Sequence, residues 1–201
     1  MKKIIVLFLV LVQTVVFAQQ KKAKDNFNVP IRLEKGDLNK DGLADKTVIT
    51  MDTIDASVPL RLQIFFQQPS KKFKLVFSST DVIEPQYVNG IHTKNSIPYF
   101  FIESGYLLMN SEKNDVRFEH KFSYKNGSFQ LIKISSVVYD GQNSTTETVF
   151  DLVAGVKTAT TTPLGSAKAS NKYTNKIMIR PLPTLQNLKS FGNKLYWVKF
   201  N

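Results

Sequence analysis

Much of the chain alternates between apolar and polar residues. Leu60, Leu62, Ile64 and Phe66 are separated by Arg61, Gln63 and Phe65. After Gln68, Pro69, Ser70 and Lys71, the alternation resumes at Phe73, Leu75 and Phe77. A period of two places one set of side chains on one face of a strand, so this segment predicts a hairpin with one buried face. A second hairpin is predicted over 116–139. Val116, Phe118, His120, Phe122 and Tyr124 share one face, and Arg117, Glu119, Lys121, Ser123 and Lys125 share the other. Asn126-Gly127 suits a type I′ turn, which needs positive φ at both central positions. A two-residue loop there sets Tyr124 opposite Phe129 and Phe122 opposite Leu131, two apolar cross-strand pairs.

Further strands are predicted at 46–51, 99–102, 106–110, 146–153, 156–161, 176–180 and 195–200, with Ala154-Gly155 as a tight turn. Residues 160–175 are rich in Thr, Ser, Lys and Ala and hold Pro163 and Gly165, which predicts a long polar loop. Leu185 and Leu188 fall three apart, so one short helix is predicted within 183–191. The expected fold is mainly β, with antiparallel hairpins forming a sheet or sandwich and at most one or two short helices. A single β-rich domain is expected over 29–201, with the Pro-, Asn- and Gly-rich stretch 85–98 as the best place for a weak subdivision.

The N-terminus reads as an address. Lys2 and Lys3 precede an apolar run from Ile4 to Val12, extended by Val15, Val16 and Phe17. Val16 and Ala18 stand at the −3 and −1 places of a small-residue cleavage site. Residues 1–18 are therefore expected to be a secretory signal peptide. Gln13 and Thr14 interrupt the run, which is short for a bilayer span of ~20 residues. Residues 19–28 are polar and Lys-rich and are expected to form a flexible arm. The short charged start looks bacterial, so a periplasmic or secreted protein is expected, not membrane-spanning after cleavage. The sequons at Asn126 and Asn143 then carry no weight.

Composition narrows the chemistry. The chain has 201 residues, 42% of them hydrophobic, which excludes wholesale disorder. With no Cys, a disulfide scaffold, thiolate catalysis, Cys-ligated zinc and c-type haem are excluded. Lys and Arg number 27 against 16 Asp and Glu, a formal charge of +11. No acidic residue follows Asp151, whereas Lys157, Lys168, Lys172, Lys176, Arg180, Lys189, Lys194 and Lys199 do. Tyr173, Phe191, Tyr196, Trp197 and Phe200 are interleaved with them. This C-terminal stretch is expected to offer a surface to an anionic envelope component or an acidic protein. Nucleic acid is not an expected partner of an exported chain. A solvated face of Lys at alternate strand positions accounts for the same residues.

One segment carries chemistry: Gly36-Asp37-Leu38-Asn39-Lys40-Asp41-Gly42-Leu43-Ala44-Asp45. Counted from Asp37, oxygen-bearing side chains stand at positions 1, 3, 5 and 9 and glycine at 6. Calcium takes six to eight oxygens at roughly 2.3–2.6 Å, and alternate residues of a curling loop point inward. Gly42 permits the bend, and the carbonyl at Leu43 can add a main-chain oxygen. Leu38 and Lys40 are expected to point outward. The expected ligands of a structural Ca2+ are therefore Asp37, Asn39, Asp41, Leu43 and Asp45. An Asx-rich turn that binds nothing accounts for the same composition. An EF-hand does not fit, because Val48 stands where its bidentate Glu belongs and the flanks read as strands.

The loop resembles the short calcium loops of FG-GAP and VCBS repeats, whose Gly-Asp-Leu-Asn-Gly-Asp-Gly-x-x-Asp pattern and following apolar strand are matched by Gly36 to Asp45 and Thr47-Val48-Ile49. The likeness covers about fifteen residues. Extended through the hairpin 60–77, it implies one blade-like unit. Those families carry several copies, and this chain carries one, so a closed propeller is not expected. The runs from Phe122 to Ile132 and from Phe150 to Thr158 resemble stretches of secreted bacterial proteins that also hold one such Asp loop, and they bring no activity with them.

Other signals are weaker. His120 lies on an apolar face and is expected to be a buried structural histidine, while His92 falls in an apparent loop. Glu84, Glu103, Glu112 and Glu119 could supply a glycosidase pair, but their spacing selects none of them. The expected function is an exported, non-enzymatic calcium-binding module with a binding or scaffolding role at the cell envelope. The alternatives are an envelope-glycan enzyme using Asp and Glu residues, and an inhibitor or immunity-type protein.

Overall fold

The computed structural model describes residues 25–93, 96–113 and 116–188. Strands β1 (Phe27–Gly36), β2 (Asp45–Asp52), β3 (Leu60–Gln67) and β4 (Phe73–Ser79) form a four-stranded sheet in chain order. β5 (Tyr87–Val88) and β6 (Ile91–His92) pair with each other. β7 (Tyr99–Glu103), β8 (Tyr106–Lys113), β9 (Val116–Lys125), β10 (Ser128–Tyr139), β11 (Ser144–Asp151), β12 (Val156–Pro163) and β13 (Asn171–Lys176) form a seven-stranded sheet, again in chain order. All neighbours are antiparallel. The fold is thus mainly β and built of consecutive hairpins, as the alternation predicts.

Burial follows the period of two. Leu60, Leu62, Ile64 and Phe66 of β3 are buried while their neighbours are half-exposed. They join Ile49 of β2 and Phe77 of β4 in one core with Phe100, Leu107, Met109, Phe122, Phe129, Leu131 and Phe150 of the larger sheet. Phe66 meets Tyr124 edge-on at 4.8 Å between ring centroids, so the two sheets pack through aromatic side chains. At a second junction, a Cβ on Gly36 would lie 2.4 Å from the Ile102 side chain; the closeness of β1 to β7 requires glycine there.

The β9–β10 hairpin has the predicted register, with Tyr124 opposite Phe129 and Phe122 opposite Leu131. Asn126 and Gly127 have φ of 52° and 77°, the signs a type I′ turn demands. A register shift between Leu131 and Lys133 then inserts one extra residue, so that Leu131 and Ile134 both reach the core. Where β11 has ended, the C-terminal segment takes over its place beside β10. Leu131 N–H donates to the Pro183 carbonyl at 2.7 Å, and Thr184 bridges Gln130.

Four expectations are corrected. The arm expected over 19–28 gives way at Phe27 to β1, a ten-residue strand. Its pattern escapes notice because β1 is an edge strand with two register irregularities around Pro30 and little buried side chain. The polar loop expected over 160–175 is mostly strand, since β12 runs to Pro163 and β13 starts at Asn171. Every residue of β13 is exposed, so no apolar alternation marks it. The strand expected over 176–180 ends at Lys176, although Ile177 and Ile179 still pack on the core. The helix expected in 183–191 is a 3-10 turn at Leu185–Asn187, beyond which 189–191 lie outside the described residues. The strand at 195–200, the signal segment 1–18 and Lys189, Lys194 and Lys199 also lie outside them.

Candidate metal centre

The Asp-rich segment is the connection between β1 and β2, whose last pair is Gly36 with Asp45. Both flanks are strands, as its sequence implies. The loop turns through two left-handed residues, Lys40 at φ 63° and Gly42 at φ 82°. Gly42 holds that conformation without a Cβ penalty, whereas Lys40 stores strain on the order of 1 kcal/mol or more. The Lys40 stem packs against Gly105, and its Nζ stands 5.0 Å from the centre of the Tyr106 ring. The loop is therefore braced against the β7–β8 turn.

Asp37, Asn39 and Asp41 converge. Asp41 N–H donates to Asp37 Oδ1 at 3.2 Å and to Asn39 Oδ1 at 3.1 Å, and Gly42 N–H donates to Asp37 Oδ2 at 2.9 Å. Asn39 Nδ2 donates to Asp41 Oδ2 at 2.9 Å, and Leu43 N–H donates to Asp41 Oδ1 at 2.8 Å. Leu43, half-buried at the exit of the loop, thus meets Asp41 through its main chain. Asp45 is placed differently. It is fully buried, and its carboxylate accepts Leu38 N–H at 2.8 Å and Gln67 N–H at 2.9 Å. Gln67 in turn accepts Ala44 N–H through Oε1 at 3.1 Å. Asp45 therefore ties the loop to the end of β3. Leu38 does not point outward as expected: it is 2% exposed, part of the core, and fixes the entry of the loop as Asp45 fixes its exit.

The charges are uncompensated. Among the described residues, no Lys or Arg forms an ion pair with Asp37, Asp41 or Asp45. Burial pushes the Asp45 carboxyl above the usual carboxylate range, the Leu38, Gln67 and Asn39 N–H groups pull it back, and the nearby Asp41 charge raises it again. The donor set is all oxygen: three carboxylates, the Asn39 amide and the Leu43 carbonyl. That chemistry suits a hard divalent cation. A carboxylate oxygen that accepts one amide N–H retains a lone pair for a metal. Among the described residues, however, no group of three or more His, Cys, Asp or Glu side chains is arranged to hold a metal. Asp45 turns inward, leaving Asp37 and Asp41 with the Asn39 amide on the open side. Asn39 presents Nδ2 to the Asp41 carboxylate while its Oδ1 accepts the Asp41 N–H, so bringing Oδ1 beside that carboxylate at an ion requires the amide to turn over.

Elsewhere, Glu112 and Glu119 come together across β8 and β9, while Glu84 and Glu103 do not join them. They line a groove of about 450 Å³ with Glu147 of β11, a residue that sequence spacing did not single out. Arg117 stands between, 3.6 Å from Glu112. Only the register of β8 to β11, which sets Glu112 opposite Arg117 and Glu147 opposite Val137, reveals this cluster. His120 is 2% exposed, and burial lowers its pKa to about 4, with the Met109 main chain opposing that shift. Neutral at ordinary pH and enclosed by the core, it is structural. His92 is exposed in β6 and packs against Tyr87 at 5.1 Å.

No protein-family model, curated protein or solved structure matches the chain.

Proposed function

We propose that the chain is an exported calcium-binding β module with a binding or scaffolding role at the cell envelope. The observation that carries this reading is the cluster of three carboxylates within nine residues that has no basic partner among the described residues, in a chain of net charge +11. Asp37, Asn39 and Asp41 would hold the ion from the open side, with the Leu43 carbonyl and Asp45 behind. The calcium would neutralise the charge that burial penalises at Asp45. It would also fasten the β1–β2 connection to β3 and to the β7–β8 turn, so its role is structural. An affinity of about 10⁻⁴–10⁻³ M is expected, as for extracellular modules.

The test is thermal unfolding of the wild type and Asp41→Ala in calcium and in chelator. At about 20-fold excess over the dissociation constant, mass action gives about 1.8 kcal/mol of stabilisation. For a domain of this size that is a rise of roughly 4–7 °C in Tm. Asp41→Ala should melt at the same temperature in both. Identical wild-type melts would overturn the proposal. A second reading, an enzyme acting on envelope glycans, is favoured by one observation, the groove that brings Glu112, Glu119 and Glu147 together.

A further inference from the structure

We propose that the outer face of the four-stranded sheet docks on an anionic phospholipid bilayer. The proposal rests on the envelope reading for where such a bilayer is met, and it does not require calcium. The register defines the face. Lys35 lies opposite Lys46, Lys46 opposite Phe65, and Phe65 opposite Leu75, a row crossing all four strands. Leu33 and Val48 form the next row, and Phe73 lies at the free edge. Three large apolar side chains stand in solvent: Leu33 at 53% exposure, Leu75 at 47% and Phe73 at 40%. Exposed apolar patches of this kind mark contact surfaces.

The charge on this face has one sign. The carboxylates of the four strands lie elsewhere: Asp45 and Asp52 are buried, and Glu34 is registered with Thr47 on the inner side. Asp25, at the rim, is already paired with Arg61 at 2.8 Å. The Lys46 ammonium sits 4.3 Å from the centre of the Phe73 ring and 4.8 Å from that of Phe65, which holds a cation above the apolar patch. Lys71 and Lys72 add exposed charge at the β3–β4 turn, whereas Lys74 is registered with the buried Phe66 and stands on the inner side.

The geometry favours a bilayer over an acidic peptide strand. A peptide would add to the free edge of β4, and lysines along an edge strand oppose such pairing. What remains accessible is the sheet face, where leucine and phenylalanine can enter the headgroup boundary while lysines meet phosphates.

The test is co-sedimentation of the full chain with vesicles of equal phosphatidylglycerol and phosphatidylcholine, and with phosphatidylcholine alone, in chelator throughout. Binding is expected to the first and not to the second, and should weaken at least about tenfold from 0.1 to 0.5 M salt. Lys35→Gln, Lys71→Gln and Lys72→Gln together should weaken it on the order of a hundredfold, about fivefold per lysine. Phe73→Ser with Leu75→Ser should also weaken it, with the fold checked by circular dichroism. Neutralising Lys168, Lys172 and Lys176 should change nothing. Equal binding to both vesicles, binding to neither, competition by free polyglutamate as effective as that by vesicles, or loss only with the second lysine set would each overturn the proposal. The calcium-dependent melt contains no lipid, so the two proposals fail separately.

Discussion

Two turns of this molecule do the same topological work by different means. The β9–β10 turn reverses the chain in two residues, Asn126 and Gly127, both at positive φ. A Cβ on Gly127 would meet nothing within 4 Å, so only backbone conformation constrains that site. The β1–β2 connection uses residues 37–44 for the same reversal, with strained Lys40 at φ 63° and with both ends sunk into the protein. Leu38 enters the core at one end, and Asp45 accepts two main-chain N–H groups at the other. An antiparallel pair does not need the extra length. A longer loop, pinned at both ends and carrying carboxylates that form no ion pair among the described residues, is the feature that the calcium proposal is meant to explain.

The largest effect that separates the two turns is expected at the pinned end. Leu38→Ala should cost about 3 kcal/mol, because it empties a site that is 2% exposed and unseats the entry of the loop. Urea denaturation should show the midpoint falling with little change in slope. A cost under about 0.5 kcal/mol would mean that the loop is not anchored through this side chain. Gly127→Val comes next, at about 2 kcal/mol, because a β-branched residue resists positive φ. Since its Cβ meets open space, an equal loss with Gly127→Ala is not expected, and the β-branch should account for the excess. Equal losses in the two variants would place the cost in loss of glycine alone.

What was legible follows burial. The β9–β10 hairpin could be read to the residue because Phe122, Phe129 and Leu131 are buried on one face and Asn126-Gly127 fixes the register. The β3 strand could be read for the same reason. β1 and β13 could not, since edge and exposed strands have no buried face to impose a period, and Thr- and Lys-rich sequence then looks like loop. At the Asp loop the spacing located the segment and its strand flanks. It did not show that Leu38 points inward, because a single apolar residue in a polar loop has no period to place it. It also did not show that Asp45 is held by N–H groups of Leu38 and of the distant Gln67, a contact that only the pairing of β2 with β3 creates. The Glu112, Glu119 and Glu147 cluster was hidden likewise, because its members lie on three different strands, β8, β9 and β11, which only the sheet register brings together.

The most direct measurement is a calcium titration followed by amide nuclear magnetic resonance, with the two turns as signal and internal control. The amides of Asp41, Gly42 and Leu43, and that of Gln67 across the Asp45 carboxylate, should shift together and saturate with one dissociation constant of about 10⁻⁴–10⁻³ M. Those of Asn126 and Gly127 should stay in place. Saturating shifts confined to residues 37–45 and 67 in the wild type, and absent in Asp41→Ala, are the expected result. No shift at about 20 mM calcium, or equal movement at both turns, would contradict the assignment of an ion to this loop.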